Sequence, residues 1–127
     1  MEVKTSTKEK FTVISGLPDQ LSATMTEELC RQLTSYLEAP LKNIVLNMEG
    51  VSDIDEVAAE KLVRMQQEFY ERGASFVACC MPPTLETKLD DYDLLELMNV
   101  TPSESEAWDI VQMEEIEREL LDDEPDA

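Results

Sequence analysis

The chain has no histidine, three glycines, three cysteines and one tryptophan among its 127 residues. Without histidine it lacks the commonest general base, nucleophile partner and transition-metal ligand. Three glycines are too few for a phosphate-cradling loop, and no glycine-rich phosphate motif occurs. No stretch approaches the roughly 20 consecutive apolar residues that a membrane helix needs. The first residues, MEVKTSTKEK, lack the charged-then-apolar pattern of a secretory signal. A soluble, cytoplasmic protein without membrane insertion is expected. Cys30, Cys79 and Cys80 are odd in number and match no metal-ligand spacing, so small buried thiols are expected rather than a disulfide framework or a metal site.

Positive charge is scarce as well. Against 29 acidic residues stand 10 basic ones, a net charge of −19, which argues against nucleic acid as a partner. The excess is uneven: from Glu104 to Ala127 there are 11 acids and one base, Arg118, so this segment carries 10 of the 19 net negative charges. Such a surface is either simply solvated or suited to a basic partner. The length suits one domain, expected over residues 1–121, with 122–127 (DDEPDA) as an acidic mobile tail.

What is present is an alternation of periodicities. KFTVIS, residues 10–15, is β-branched and aromatic and ends at Gly16, Pro18 and Asp19, so it reads as a strand and turn. A preceding strand near Glu2–Thr7 would form a hairpin with it. Met25, Leu29, Leu33, Tyr36 and Leu37 line one face of a helix over 24–38. NIVLNM, residues 43–48, is the nearly continuous apolar run of a central strand buried on both faces. Ala58, Leu62, Met65 and Phe69 give a second helix over 56–72, stopped at Arg72 and Gly73. SFVACCM is a third strand, followed after Pro82 and Pro83 by a short helix near 84–91. LMNV, residues 97–100, reads as an edge strand. Ser103 with Glu106 forms a capping box opening a helix over 104–121, whose stripe of Trp108, Val111, Ile116 and Leu120 should face the body. The sum is an α/β fold: a mixed, mostly parallel sheet of four to five strands flanked by about four helices.

Between the central strand and the second helix lies GVSDIDEVAAEKL, residues 50–62. Asp53, Asp55 and Glu56 could in principle offer oxygens to a hard cation, but their spacing lacks the alternation of a calcium loop. Acids in a helix's first turn offset its dipole by roughly 0.3–1 kcal/mol, which explains them without a metal. No catalytic residue, metal site or cofactor is expected, and the chain does not read as an enzyme.

ISGLPDQLSA, the segment from NIVLNMEGVSDIDEV to ERGASFVAC, and LLELMNVTPSESEA together resemble the STAS family, the sulfate transporter and anti-sigma factor antagonist domain, over about residues 10–121. The third phrase matches the family's ending at Leu94, Leu97, Met98, Val100, Pro102, Ser103, Glu106 and Ala107. The resemblance implies a bacterial regulatory domain that binds an anti-sigma factor, often a kinase, and is released by phosphorylation of a serine opening the second helix. Here the sequence departs. Where the family has Asp-Ser-Ser-Gly, this chain has Asp55, Glu56, Val57 and Ala58, so the phosphoacceptor position, Val57, has no hydroxyl. Glu56 replaces the first serine, and one residue along a helix is a rotation of about 100°, so its carboxylate points elsewhere than a phosphate at position 57 would. Ser22, beside Ala23, is the nearest alternative hydroxyl, with helix capping as its expected role. The implied partner-binding residues are Asp19, Ser22, Asp55, Glu56, Val57 and Ala58. Two other readings are an accessory STAS subunit of another complex, such as a lipid-transport assembly, and a small-ligand or nucleotide-binding module. The acidic surface speaks against phosphate-bearing ligands.

Overall fold

The computed structural model describes residues 3–122. Alternating apolar side chains build its main sheet. Strands β1 (Lys4–Thr7), β2 (Thr12–Ser15), β4 (Ile44–Asn47), β6 (Phe76–Cys79) and β7 (Val100–Thr101) are ordered β1-β2-β4-β6-β7. β1 is antiparallel to β2, as the hairpin reading anticipates, and every other pairing is parallel. A separate two-stranded parallel sheet joins β3 (Gln20–Leu21) to β5 (Asp53–Ile54). The helices are α1 (Ala23–Thr34), α2 (Glu56–Glu71), α3 (Pro83–Asp91) and α4 (Glu104–Asp122).

Register assigns the two faces of the sheet. Val13, Val45 and Val77 lie in one row across β2, β4 and β6 and pack with Phe11, Cys79, Ala107 and Val111 beneath α4. Ile14, Ile44, Leu46, Phe76 and Ala78 face the other way, into the core shared with α1, α2 and α3. Both faces of the central strands are therefore covered, which is why 43–48 reads as a nearly continuous apolar run. Phe69 and Phe76 meet edge to face at 5.3 Å within the larger core. Phe11 and Trp108, with ring centroids 5.2 Å apart, pin the start of α4 to β2.

The helix ends follow local chemistry. Gly73 has φ +77°, and the amides of Gly73 and Ala74 bond to the carbonyls of Tyr70 and Phe69, which closes α2 with a left-handed cap. Ser103 Oγ accepts the Glu106 amide at 3.2 Å, so the anticipated cap of α4 is formed.

Three expectations need correction. Met25 is 40% exposed, and Thr26 takes the inward position because the face set by Leu29 and Leu33 extends back by three residues, not four. The edge strand begins later than LMNV. Leu95–Leu97 form a 3₁₀ turn, and the Asn99 amide is taken by Gln66 Oε1 at 2.7 Å while Gln66 Nε2 donates to the Leu97 carbonyl at 3.0 Å. Pairing with β6 therefore starts only at Val100, opposite Ala78. In α4, Val111 is buried but Ile116 is 55% and Leu120 67% exposed. Five residues beyond Val111 is a rotation of about 500°, which carries Ile116 away from the sheet. The inward place seven residues after Val111 belongs to Arg118, whose Nη2 reaches Ser75 Oγ at 3.2 Å. α4 ends one residue into the stretch expected as a mobile tail, and 123–127 lie outside the described residues.

Thr26 is fully buried and its hydroxyl has no hydrogen-bond partner among the described residues. Leaving a buried hydroxyl unmatched costs about 1–3 kcal/mol. Thr26→Val, which replaces that oxygen by a methyl group, is expected to raise unfolding stability by about 1 kcal/mol in urea titrations. A loss of stability would contradict this account of α1.

Candidate functional site

Two short strands bring two helix beginnings side by side. β3 and β5 pair for two residues, Gln20 opposite Asp53 and Leu21 opposite Ile54, and each leads at once into a helix. The Asp19 carbonyl accepts the amides of Ser52 and Asp53 at 2.8 and 3.0 Å, and Ser52 Oγ at 3.1 Å. The Asp55 amide donates to the Leu21 carbonyl at 3.1 Å. Backbone bonds thus fasten residues 19–21 to 52–55 across a separation of about 30 residues.

The caps then differ. Ser22 Oγ accepts the Met25 amide at 3.2 Å, so it caps its own helix, as its position before α1 suggests. Asp55 occupies the N-cap position of α2 by its backbone, yet its side chain does not cap α2. Its Oδ2 instead accepts the Ala23 amide, the first of α1, at 3.1 Å. One carboxylate therefore sits where two helix N-termini, each with unsatisfied amides and partial positive charge, converge.

Around this clasp Asp19, Asp55 and Glu56 are exposed, Ser22 is half-buried, and Val57 stands 52% exposed at the start of α2. Ala58 is fully buried in the core, so it supports the corner from beneath and offers a partner no surface in this conformation.

The short helix expected near 84–91 is present as α3 (Pro83–Asp91), but sequence reasoning missed its place beside the corner. Tyr92, just after its end, donates its hydroxyl to the Ile54 carbonyl at 3.0 Å, and Lys88 Nζ lies 3.3 Å from Asp53 Oδ1. Hydrogen bonding and charge from Asp53 raise the Lys88 pKa above its ordinary value. Both residues join the corner because α3 packs beside β5. No spacing within 84–92 signals that long-range approach.

Among the described residues no group of three His, Cys, Asp or Glu side chains is placed to hold a metal ion. The cysteines are free, and burial pushes the Cys30 thiol up to about 11 and the Cys79 thiol well above its usual range, so neither is an activated nucleophile near neutral pH. Surface depressions of about 440 and 470 Å³ lie elsewhere, one beside Tyr70 and Leu97, the other beside Lys42 and Arg118. Among the described residues no helix is long and apolar enough to cross a membrane.

Comparison with known families finds that the STAS domain family matches residues 3–107. The chain belongs to that family. Three solved structures share the STAS fold. A proposed anti-sigma factor antagonist from Thermotoga maritima has a TM-score of 0.74 at 16% identity, over 87% of this chain and 94% of its own. The Bacillus cell-fate determinant SpoIIAA, in its phosphorylated form, has a TM-score of 0.62 at 18% identity, over 87% and 99%. The murine anion transporter Slc26a9, in its inward-facing state, has a TM-score of 0.60 at 14% identity, over 82% of this chain but only 18% of the transporter. Comparison with curated proteins finds no match.

Asp55→Ala removes the acceptor from the Ala23 amide. The expected loss is about 1 kcal/mol of unfolding stability, and Asp55→Asn, which keeps an acceptor oxygen, should lose less. Unchanged stability of Asp55→Ala in urea titrations would show that the clasp between the helices contributes nothing.

Proposed function

We propose that this STAS domain is a non-enzymatic regulatory module that binds a protein partner through the corner formed by Asp19, Ser22, Asp55, Glu56 and Val57. The observation that carries this reading is Val57, an apolar side chain 52% exposed on a corner otherwise framed by acids, where the family places its phosphorylated serine. A valine there cannot accept a phosphoryl group, so docking at the corner is constitutive. Phosphorylation elsewhere in the family adds about −1.5 to −2 charge at this point. Here the carboxylates of Asp55 and Glu56 are charges fixed by sequence, the first of them occupied with the Ala23 amide.

The partner we infer is a cytoplasmic anti-sigma factor or kinase-like regulator, with an apolar contact for Val57 and cations complementing the acids around it. A second reading, an accessory subunit of a membrane transport complex, draws on the likeness to one segment of the murine transporter.

Capture of partners from the source organism distinguishes these readings, since a kinase-like regulator and a transporter subunit are different proteins. Titration calorimetry of the captured partner then tests the surface. Val57→Ser is expected to change affinity by less than about tenfold, roughly 1.4 kcal/mol. Val57→Asp is expected to weaken binding considerably more, because it forces an unpaired charge into a desolvated contact. Circular dichroism should show both variants folded, since acids are tolerated at the start of a helix. Equal affinity of wild type and Val57→Asp would place the docking surface elsewhere.

A further inference from the structure

The second half of α4 holds apolar side chains on the side turned away from the rest of the molecule. Met113 is 60%, Ile116 55% and Leu120 67% exposed. At about 100° per residue, these three fall within about 60° of one another, centred nearly opposite Val111, the last buried position. Their spacing of three and then four residues makes a continuous ridge. The sheet cannot cover it, because that side of α4 is already fixed by Ala107, Val111 and Arg118.

The ridge has a frame of one sign. Glu117 flanks it on one side and Glu119 on the other, and Glu106 and Asp109 lie on the same outward face one to two turns earlier. The one base of α4, Arg118, points inward, its Nη2 directed at Ser75 Oγ and Asn43 Oδ1. A second copy of this chain would set these glutamates against their own kind, and an anionic membrane surface would likewise be repelled. A basic amphipathic helix satisfies both features: its apolar side chains fill the ridge at matching i, i+3, i+7 positions while its cations meet the flanking carboxylates.

We propose that the outer face of α4, centred on Met113, Ile116 and Leu120, is a second docking surface that receives a basic amphipathic helix of a partner protein. It stands independently of the corner around Asp55, and loss of either surface leaves the other intact.

The test uses the full chain and two labelled peptides of identical apolar pattern, one leucine–lysine and one leucine–glutamate, followed by fluorescence anisotropy. The leucine–lysine peptide is expected to bind and the leucine–glutamate peptide not to bind. Ile116→Ser combined with Leu120→Ser should weaken binding at least tenfold, and Glu117→Gln combined with Glu119→Gln should weaken it severalfold. Circular dichroism of both variants should match wild type, because the altered side chains are exposed. Retention of affinity in the serine pair would reduce the interaction to general attraction for an acidic protein and overturn the proposal. Retention in the glutamine pair would remove the charge basis for a basic partner and overturn it as well. A wild-type dimer in sedimentation that the serine pair dissolves, or wild-type binding to anionic vesicles that the serine pair abolishes, would assign the ridge to another occupant.

Discussion

The side chain of Asp55 accepts the first amide of α1 while its backbone opens α2, and the geometry of the corner depends on that double membership. Two helices that begin at the same place present converging amides and like partial charges, an arrangement that needs an anion between them. The two-residue pairing of β3 with β5 delivers Asp55 to that point. Tyr92 then ties the β5 backbone to the end of α3, so residues from three separate chain segments meet as one surface.

On the proposed reading, the same arrangement would let this STAS domain bind without a switch. With Asp55 engaged and Val57 exposed, the corner has an acidic rim and an apolar point whose charge is set by sequence. Binding to such a surface can be regulated through the partner's abundance or modification, since Val57 offers no site for phosphoryl transfer.

Much of this was legible in the sequence where one physical requirement acted alone. The run Ile44–Leu46 had to be apolar throughout because both sheet faces are covered, and Gly73 had to end α2 because the cap needs a positive φ. The family phrase located the corner, and Ser22 was recognisable as a cap. Legibility failed where two requirements competed. In α4 an inward position is filled by Arg118, whose guanidinium reaches Ser75 and Asn43 at the sheet's lower edge, while Ile116 and Leu120 stay outside. Hydrophobicity alone assigns those places the other way round. Gln66 likewise shortens the last strand through bonds to residues 97 and 99, and Lys88 and Tyr92 reach the corner through packing that no local pattern encodes.

The central claim is that two sequence-distant segments form one docking surface at the start of α1 and α2. Amide hydrogen exchange of the chain, alone and in the complex isolated from its native cells, tests it most directly. The account predicts that residues 19–25 and 52–58 become protected together on binding, with the amides of the main sheet strands unchanged. Protection of only one of these segments, or of neither while exchange slows elsewhere, would contradict it.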